Sequence, residues 1–259
     1  MFHPQGPTFW ELARQALSST ERGYDLLAPK FDYTPFRTPD SLLEFVAPLI
    51  GPPQSIDSAL DLCCGTGAGM KMLRPHCRER VVGIDFSHGM LEIAREATAA
   101  PVWAAGLQPQ LELDRKSMAT VASDADLQFV HGNVLDLPFT SEFDVAVCFG
   151  ALGHILRRDE AAFVQQIAKA LRPGGRFVFI TARRPSRLSL VYWLARGFNA
   201  AMHVRNACVK PPFVMFYLTF LLPEATKLLE VHGFRVAIHE NIFPRPFRRA
   251  CVVVATLEA

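Results

Sequence analysis

Short runs of apolar and β-branched residues alternate along this chain with segments of helical period, the pattern of a parallel sheet wound with helices. The runs predict strands over Ser58 to Leu62, Arg80 to Ile84, Leu127 to His131, Phe143 to Phe149, Arg176 to Thr181, Arg235 to Asn241 and Cys251 to Leu257. Helices are predicted over Met70 to Pro75, His88 to Thr98, Arg158 to Leu171 and Pro223 to His232, the third stopped by R-P-G-G. Only the proline-broken FPRPFR turn separates the last two strands, so they should pair antiparallel. The expected class is α/β, a seven-stranded, mostly parallel sheet with an antiparallel last strand.

Three segments break the alternation: 1–50, 99–126 and 182–222. The first holds an amphipathic helix from Thr8 to Ser18 and then a Pro- and Tyr-rich stretch, LLAPKFDYTPFRTP. The second reads as an inserted helical excursion around QLELDRKSMATVA. The third is rich in aromatic residues, which one helix pair would explain. Specificity for a ligand should reside in these additions.

At 259 residues the chain suits one domain with a single core. Half of it is apolar and one fifth charged, as in a globular protein. A net charge of +2 with scattered basic residues leaves too weak a footprint for nucleic acid. Six cysteines without a C-x-x-C pair read as reduced thiols of a cytoplasmic protein, and no metal site is expected. The N-terminus does not read as a secretory signal, and the most apolar stretch, Phe213 to Leu222, is too short for stable membrane insertion. A monomer or a homodimer is expected.

The chemistry starts at SALDLCCGTGAGM, where a strand ending near Asp61 runs into Gly65, Gly67, Gly69 and a helix. Small residues there let a ligand approach the backbone, and the helix start offers unpaired N–H groups. Such turns also serve tight packing alone. The next strand, VVGID, ends in Asp85, twenty residues after Gly65, where a carboxylate can take both hydroxyls of an adenosine ribose. Phe86 suits an adenine face and Asn133 an adenine edge, although core packing and turn formation explain each as well.

With these residues in hand, the sequence resembles the class I S-adenosylmethionine-dependent methyltransferases, especially the small-molecule group similar to quinone-biosynthesis C-methyltransferases. LDLCCGTG resembles the family's cofactor loop, GIDFSHGMLEIAR its ribose motif, GNVLDLPF its adenine motif and FDVAVCFGALGHI its fourth-strand motif, with RPGGRFVF completing the order. The resemblance implies a Rossmann-like sheet with a helical lid or cap. It divides the single domain into a lid (1–50), a cofactor-binding core (51–181), a substrate cap (182–222) and the C-terminal part of the sheet (223–259). The implied cofactor is S-adenosyl-L-methionine, leaving as S-adenosyl-L-homocysteine, held by Asp61, Cys63, Gly65, Gly67, Asp85, Phe86, Met90, Asn133, Val134 and Phe149. Cys63 stands where the family usually has its first glycine, and Asn133 where an acid is common.

A sulfonium methyl group is already activated, so alignment and exclusion of water are the main demands and a base is optional. His154 is the best-placed base, although histidine near this point often has a structural duty. Tyr24, Phe31 and Tyr33 in the lid, with Tyr192, His203 and Tyr217 in the cap, are candidate acceptor-side residues alongside His154. A pocket so lined favours a small hydrophobic or aromatic acceptor. A nicotinamide-dependent oxidoreductase is the rival reading, weakened because Met70 occupies the third position of a G-x-G-x-x-G. A cofactor-binding protein without catalysis is the other.

Overall fold

The computed structural model describes residues 3–99 and 125–258, so the excursion expected around QLELDRKSMATVA lies outside the described residues. Seven strands form one sheet: β1 (Ile56–Leu62), β2 (Cys77–Asp85), β3 (Asp126–His131), β4 (Phe143–Cys148), β5 (Leu171–Ala182), β6 (Phe234–Glu240) and β7 (Ala250–Leu257). Their order is β3-β2-β1-β4-β5-β7-β6. β3, β2, β1, β4 and β5 are parallel neighbours, and β7 runs antiparallel to both β5 and β6. This is a Rossmann-like sheet, and the antiparallel last strand expected from the FPRPFR turn is there.

The helices are α1 (Phe9–Ala16), α2 (Thr20–Leu27), α3 (Asp40–Ile50), α4 (Ala68–Leu73), α5 (His88–Ala99), α6 (Glu160–Ala170), α7 (Leu190–Cys208) and α8 (Glu224–Val231). Alternation along the strands feeds two cores, because successive side chains point to opposite faces. Leu60, Leu62, Ala146, Cys148, Phe177 and Phe179 pack with Phe163, Val164 and Ile167 of α6 and Leu229 of α8. Ala59, Val145, Val147 and Val178 pack on the other face with Val46 of α3, Met70 of α4 and Leu91 of α5. Burial on both faces explains why these strands read as continuous apolar runs.

Two helices escape the sequence pattern. α2 carries Gly23 in its middle and α3 carries Pro48, both poor helix formers, so packing and end contacts have to hold them. Gly23 is buried, with Phe213 and Gln15 where a Cβ would stand. α3 is held at its end by Arg176, which donates to the carbonyls of Leu49 at 3.2 Å and Ile50 at 2.7 Å. The 182–222 segment also departs from expectation. It forms one 19-residue helix, α7, followed by an extended stretch, rather than a helix pair. Proline explains part of this, since Pro211 and Pro212 cannot donate to a helix ladder.

Candidate active site

The sheet reverses its winding between β1 and β4, and a cleft opens beyond the C-terminal ends of β1, β2 and β4. Its cavity of about 260 Å³ is lined from below by Asp61, Cys63, Gly65 and Gly69 of the β1 to α4 turn and by Asp85, Phe86 and Met90 after β2. Phe149 and His154 follow β4. From above it is closed by Tyr24, Phe31, Phe36 and Arg37 of the N-terminal segment and by Met215 and Tyr217 of the stretch after α7.

The β1 to α4 turn is built from left-handed residues, Cys63 at φ 54°, Gly65 at φ 52° and Gly67 at φ 84°. For Cys63 that conformation costs about 1–3 kcal/mol, a strain that surrounding packing must hold in place. Gly65 faces open space, so nothing on the protein side fills the position over it. Gly69 is required for a different reason: a Cβ there would run into the Asp61 carboxylate.

Asp61 is 2% exposed, and its Oδ2 is buried without a hydrogen-bond partner. Burial, followed by the nearby Asp85, pushes its pKa up to about 8, against a hydrogen bond from the Met70 backbone. An unpaired buried carboxylate is costly unless a cation meets it. Asp85 lies beside it, with Oδ2 accepting from the Gly65 N–H at 3.0 Å and Oδ1 from the Ser87 N–H at 2.9 Å. Burial also raises this carboxyl, opposed by those backbone donors. The two acids and the glycine turn thus meet around one space, with a positive partner wanting at Asp61 and free lone pairs at Asp85.

At the far wall, His154 Nδ1 lies 2.5 Å from the Val214 carbonyl and Nε2 lies 2.8 Å from the Tyr24 hydroxyl. A carbonyl only accepts, so Nδ1 carries the proton and the Tyr24 O–H donates to Nε2 of the neutral ring. Burial lowers the His154 pKa, which favours that neutral form, and raises that of Tyr24, which keeps the phenol protonated. Cys63 stays a thiol, raised by its contact with Cys148 and by burial, so it is no nucleophile at neutral pH.

The N-terminal segment is fastened over the cleft by side chains that the sequence did not mark. Asp25 accepts from Ser87 Oγ at 2.6 Å and the Gly89 N–H at 3.0 Å. Asp32 accepts from Thr66 Oγ1 at 2.6 Å and pairs with Arg37 at 3.1 Å. Asp25 comes from α2 and Asp32 from the 3-10 turn after it, short elements whose placement over the sheet no periodicity reveals.

Eleven of the seventeen residues expected from the sequence to touch cofactor or acceptor therefore share one cavity: Tyr24, Phe31, Asp61, Cys63, Gly65, Asp85, Phe86, Met90, Phe149, His154 and Tyr217. Six others lie elsewhere. Gly67 is buried against Ala94 and Thr98 of α5. Asn133 is exposed, with Oδ1 accepting from the Leu135 N–H at 2.9 Å, and Val134 belongs to the core. Tyr33 stacks on His3, Tyr192 lies edge-on to Trp193, and the exposed His203 packs on Phe216.

Residues 60–179 match the family model described as Methyltransferase domain. The chain is 28% identical over 182 residues to the demethylmenaquinone methyltransferase of Oceanobacillus iheyensis, a match covering 68% of this chain and 57% of that protein. It is 32% identical over 139 residues to the demethylmenaquinone methyltransferase of Shouchella clausii, covering 51% of this chain and 48% of the relative. The chain thus spans about half the length of the curated relatives it matches. Among solved structures, the DhpI complex with S-adenosylhomocysteine superposes with a TM-score of 0.61 at 16% identity, covering 97% of this chain and 99% of that one. Magnesium protoporphyrin IX methyltransferase from Synechocystis PCC 6803 does so with a TM-score of 0.53 at 14% identity, covering 85% and 83%.

Proposed function

From the premise that residues 60–179 form a class I methyltransferase domain similar to those of quinone-biosynthesis enzymes, we propose that this protein transfers a methyl group from S-adenosylmethionine to a small hydrophobic, aromatic acceptor. The observation that carries the reading is the orphaned Asp61 oxygen beside Asp85 and the open Gly65 turn. The donor set fits the cofactor. Asp61 would take the ammonium of its amino acid end, Asp85 the ribose hydroxyls and Phe86 an adenine face.

When bound, the cofactor supplies an electrophilic methyl group on a sulfonium, which leaves as a neutral thioether. The chain has to place the acceptor in line with it and keep water out. Phe31, Phe149, Met215 and Tyr217 supply apolar walls suited to a flat ring. The Tyr24 and His154 pair supplies a proton acceptor: an acceptor hydroxyl bound at Tyr24 can pass its proton to His154 Nε2, whose Nδ1 is already fixed on Val214. Loss of that proton raises electron density on the ring carbon beside the hydroxyl, which supports carbon methylation of a quinol. The ring hydrogen at that carbon then moves to the oxygen to restore the hydroxyl, and His154 releases the proton it took to solvent. The relatives named as demethylmenaquinone methyltransferases favour the same chemistry.

At about 260 Å³ the cavity lies just below the usual 300–1,000 Å³ of small-molecule sites. Incubation with isotopically labelled methyl donor and a panel of quinols, phenols and polar amines tests the function. Label on the carbon of a hydrophobic quinol is expected. Label confined to charged acceptors, or no turnover with tight cofactor binding, would overturn it.

A further inference from the structure

The outer face of α7 has the opposite character from an ordinary surface helix, which turns charged residues to water. Leu190, Trp193, Leu194, Ala201, Val204 and Cys208 follow one another at helical spacing, and all are exposed. Leu188 just before the helix is 96% exposed, Leu190 73% and Leu194 63%. Neither arginine of the helix, Arg196 or Arg205, falls among these positions. Trp193 sits in it with its indole N–H already satisfied, donating to the Arg187 carbonyl at 2.8 Å, so the ring has no need of water. A continuous apolar patch of this kind marks a contact surface.

Charge identifies the partner. From 183 to 223 the sequence contains no Asp or Glu but holds Arg183, Arg184, Arg187, Arg196, Arg205 and Lys210. Arg183 and Arg184 pair with Glu240 and Glu224, and Arg205 is committed to the carbonyls of Ala16 and Ser18. Arg187, Arg196 and Lys210 are exposed and have no ion pair among the described residues. Two copies packed face to face would bring these like charges together, whereas an anionic lipid surface answers both the cations and the apolar stripe. No helix among the described residues is long and apolar enough to cross a membrane.

We propose that α7 lies in the interfacial plane of an anionic phospholipid bilayer, its outer face in the headgroup and acyl boundary. The inner face of the same helix holds the roof of the cleft. Asn199 exchanges two hydrogen bonds of 2.8 Å with the Tyr217 backbone, and Asn206 bonds the backbone of Phe213. Met215 and Tyr217 between and beside them line the cavity. One helix therefore separates the bilayer from the site, a short path for a lipophilic acceptor. The surface itself does not depend on the methyl-transfer reading.

Flotation of the full chain with vesicles tests it, without donor or acceptor present. The protein is expected to bind vesicles of phosphatidylcholine containing phosphatidylglycerol, to bind pure phosphatidylcholine weakly, and to be released by salt. Arg187→Gln and Arg196→Gln should each lower partitioning about fivefold, the equivalent of about 1 kcal/mol per basic residue near such a surface. Leu190→Glu with Leu194→Glu should lower it more than tenfold while far-ultraviolet dichroism and affinity for S-adenosylhomocysteine stay unchanged. Absence of binding to anionic vesicles would overturn the proposal. So would a wild-type dimer in sedimentation that the double leucine variant dissociates, which would assign the face to a second copy. Failure of methyl transfer with vesicle binding intact would instead strike only the proposed function.

Discussion

Replacing Asp61 by asparagine should make the empty protein more stable at neutral pH and weaken its hold on the cofactor. The carboxyl is buried, one oxygen has no partner, and its pKa is pushed up to about 8 from 3.8. The folded chain therefore binds this proton more tightly than the unfolded chain does. Stability contributed by the protonated group is complete below about pH 4, falls as pH rises and is gone above about pH 8. At 1.36 kcal/mol per pH unit, the interval from 3.8 to neutrality amounts to a cost on the order of 4 kcal/mol. Asparagine carries no charge and escapes that cost, although its amide needs partners of its own, worth about 1–3 kcal/mol if unmet. The net expectation is a gain of roughly 1–3 kcal/mol at pH 7 that shrinks as pH falls and becomes a loss of similar size near pH 4, where only the unmet amide remains. Binding should move the other way, because a charge-assisted bond worth about 1.5–3 kcal/mol is lost, a factor of about 10 to 150 in affinity. Urea unfolding of both proteins across this pH range, with calorimetry on S-adenosylhomocysteine, reads both effects. A variant less stable than wild type at every pH, or one that binds unchanged, would refute the reasoning.

Asp85→Ala should weaken S-adenosylhomocysteine binding by at least 100-fold in calorimetry, since two ribose bonds and the Gly65 tether go together. Tyr24→Phe and His154→Gln should lower kcat by about 10²-fold or more with cofactor affinity little changed, as expected for a proton acceptor. Because burial holds the His154 pKa below its usual 6.5, the wild-type rate should climb with pH through a limb below 6.5, and His154→Gln should abolish that limb. Thr66→Val removes the hydroxyl bonded to Asp32 and should raise the cofactor Kd about 2- to 10-fold, the worth of one ordinary hydrogen bond because the Asp32 carboxylate is partly open to solvent, in the same titration. Arg176→Met should lower the urea midpoint by about 1.5–3 kcal/mol of stability, through the end of α3.

The parts legible in the sequence are those where local spacing and tertiary position coincide. Gly65 and Asp85 are twenty residues apart, and the structure joins them by a 3.0 Å hydrogen bond because β1 and β2 are adjacent and in register from Asp61 with Gly83. The strands were legible because β-branched runs buried on both faces admit few other structures. The lid was not, because Asp25, Asp32 and Arg37 acquire their roles only when the segment folds across the sheet. The substrate-side residues divided for a similar reason. Tyr24 and Tyr217 face the cleft while Tyr192 and His203 point away, a difference set by the packing of α7, whose two apolar faces leave no contrast for a periodicity to detect. Asn133 shows the limit of motif transfer, since its side chain serves its own turn.

A crystal structure with S-adenosylhomocysteine tests the cleft most directly. The amino group should lie about 3 Å from the Asp61 carboxylate and the ribose hydroxyls a similar distance from Asp85, with the sulfur turned toward Tyr24 and His154. Ligand density that leaves Asp61 unpartnered, or that places the ribose away from Asp85, would contradict the assignment.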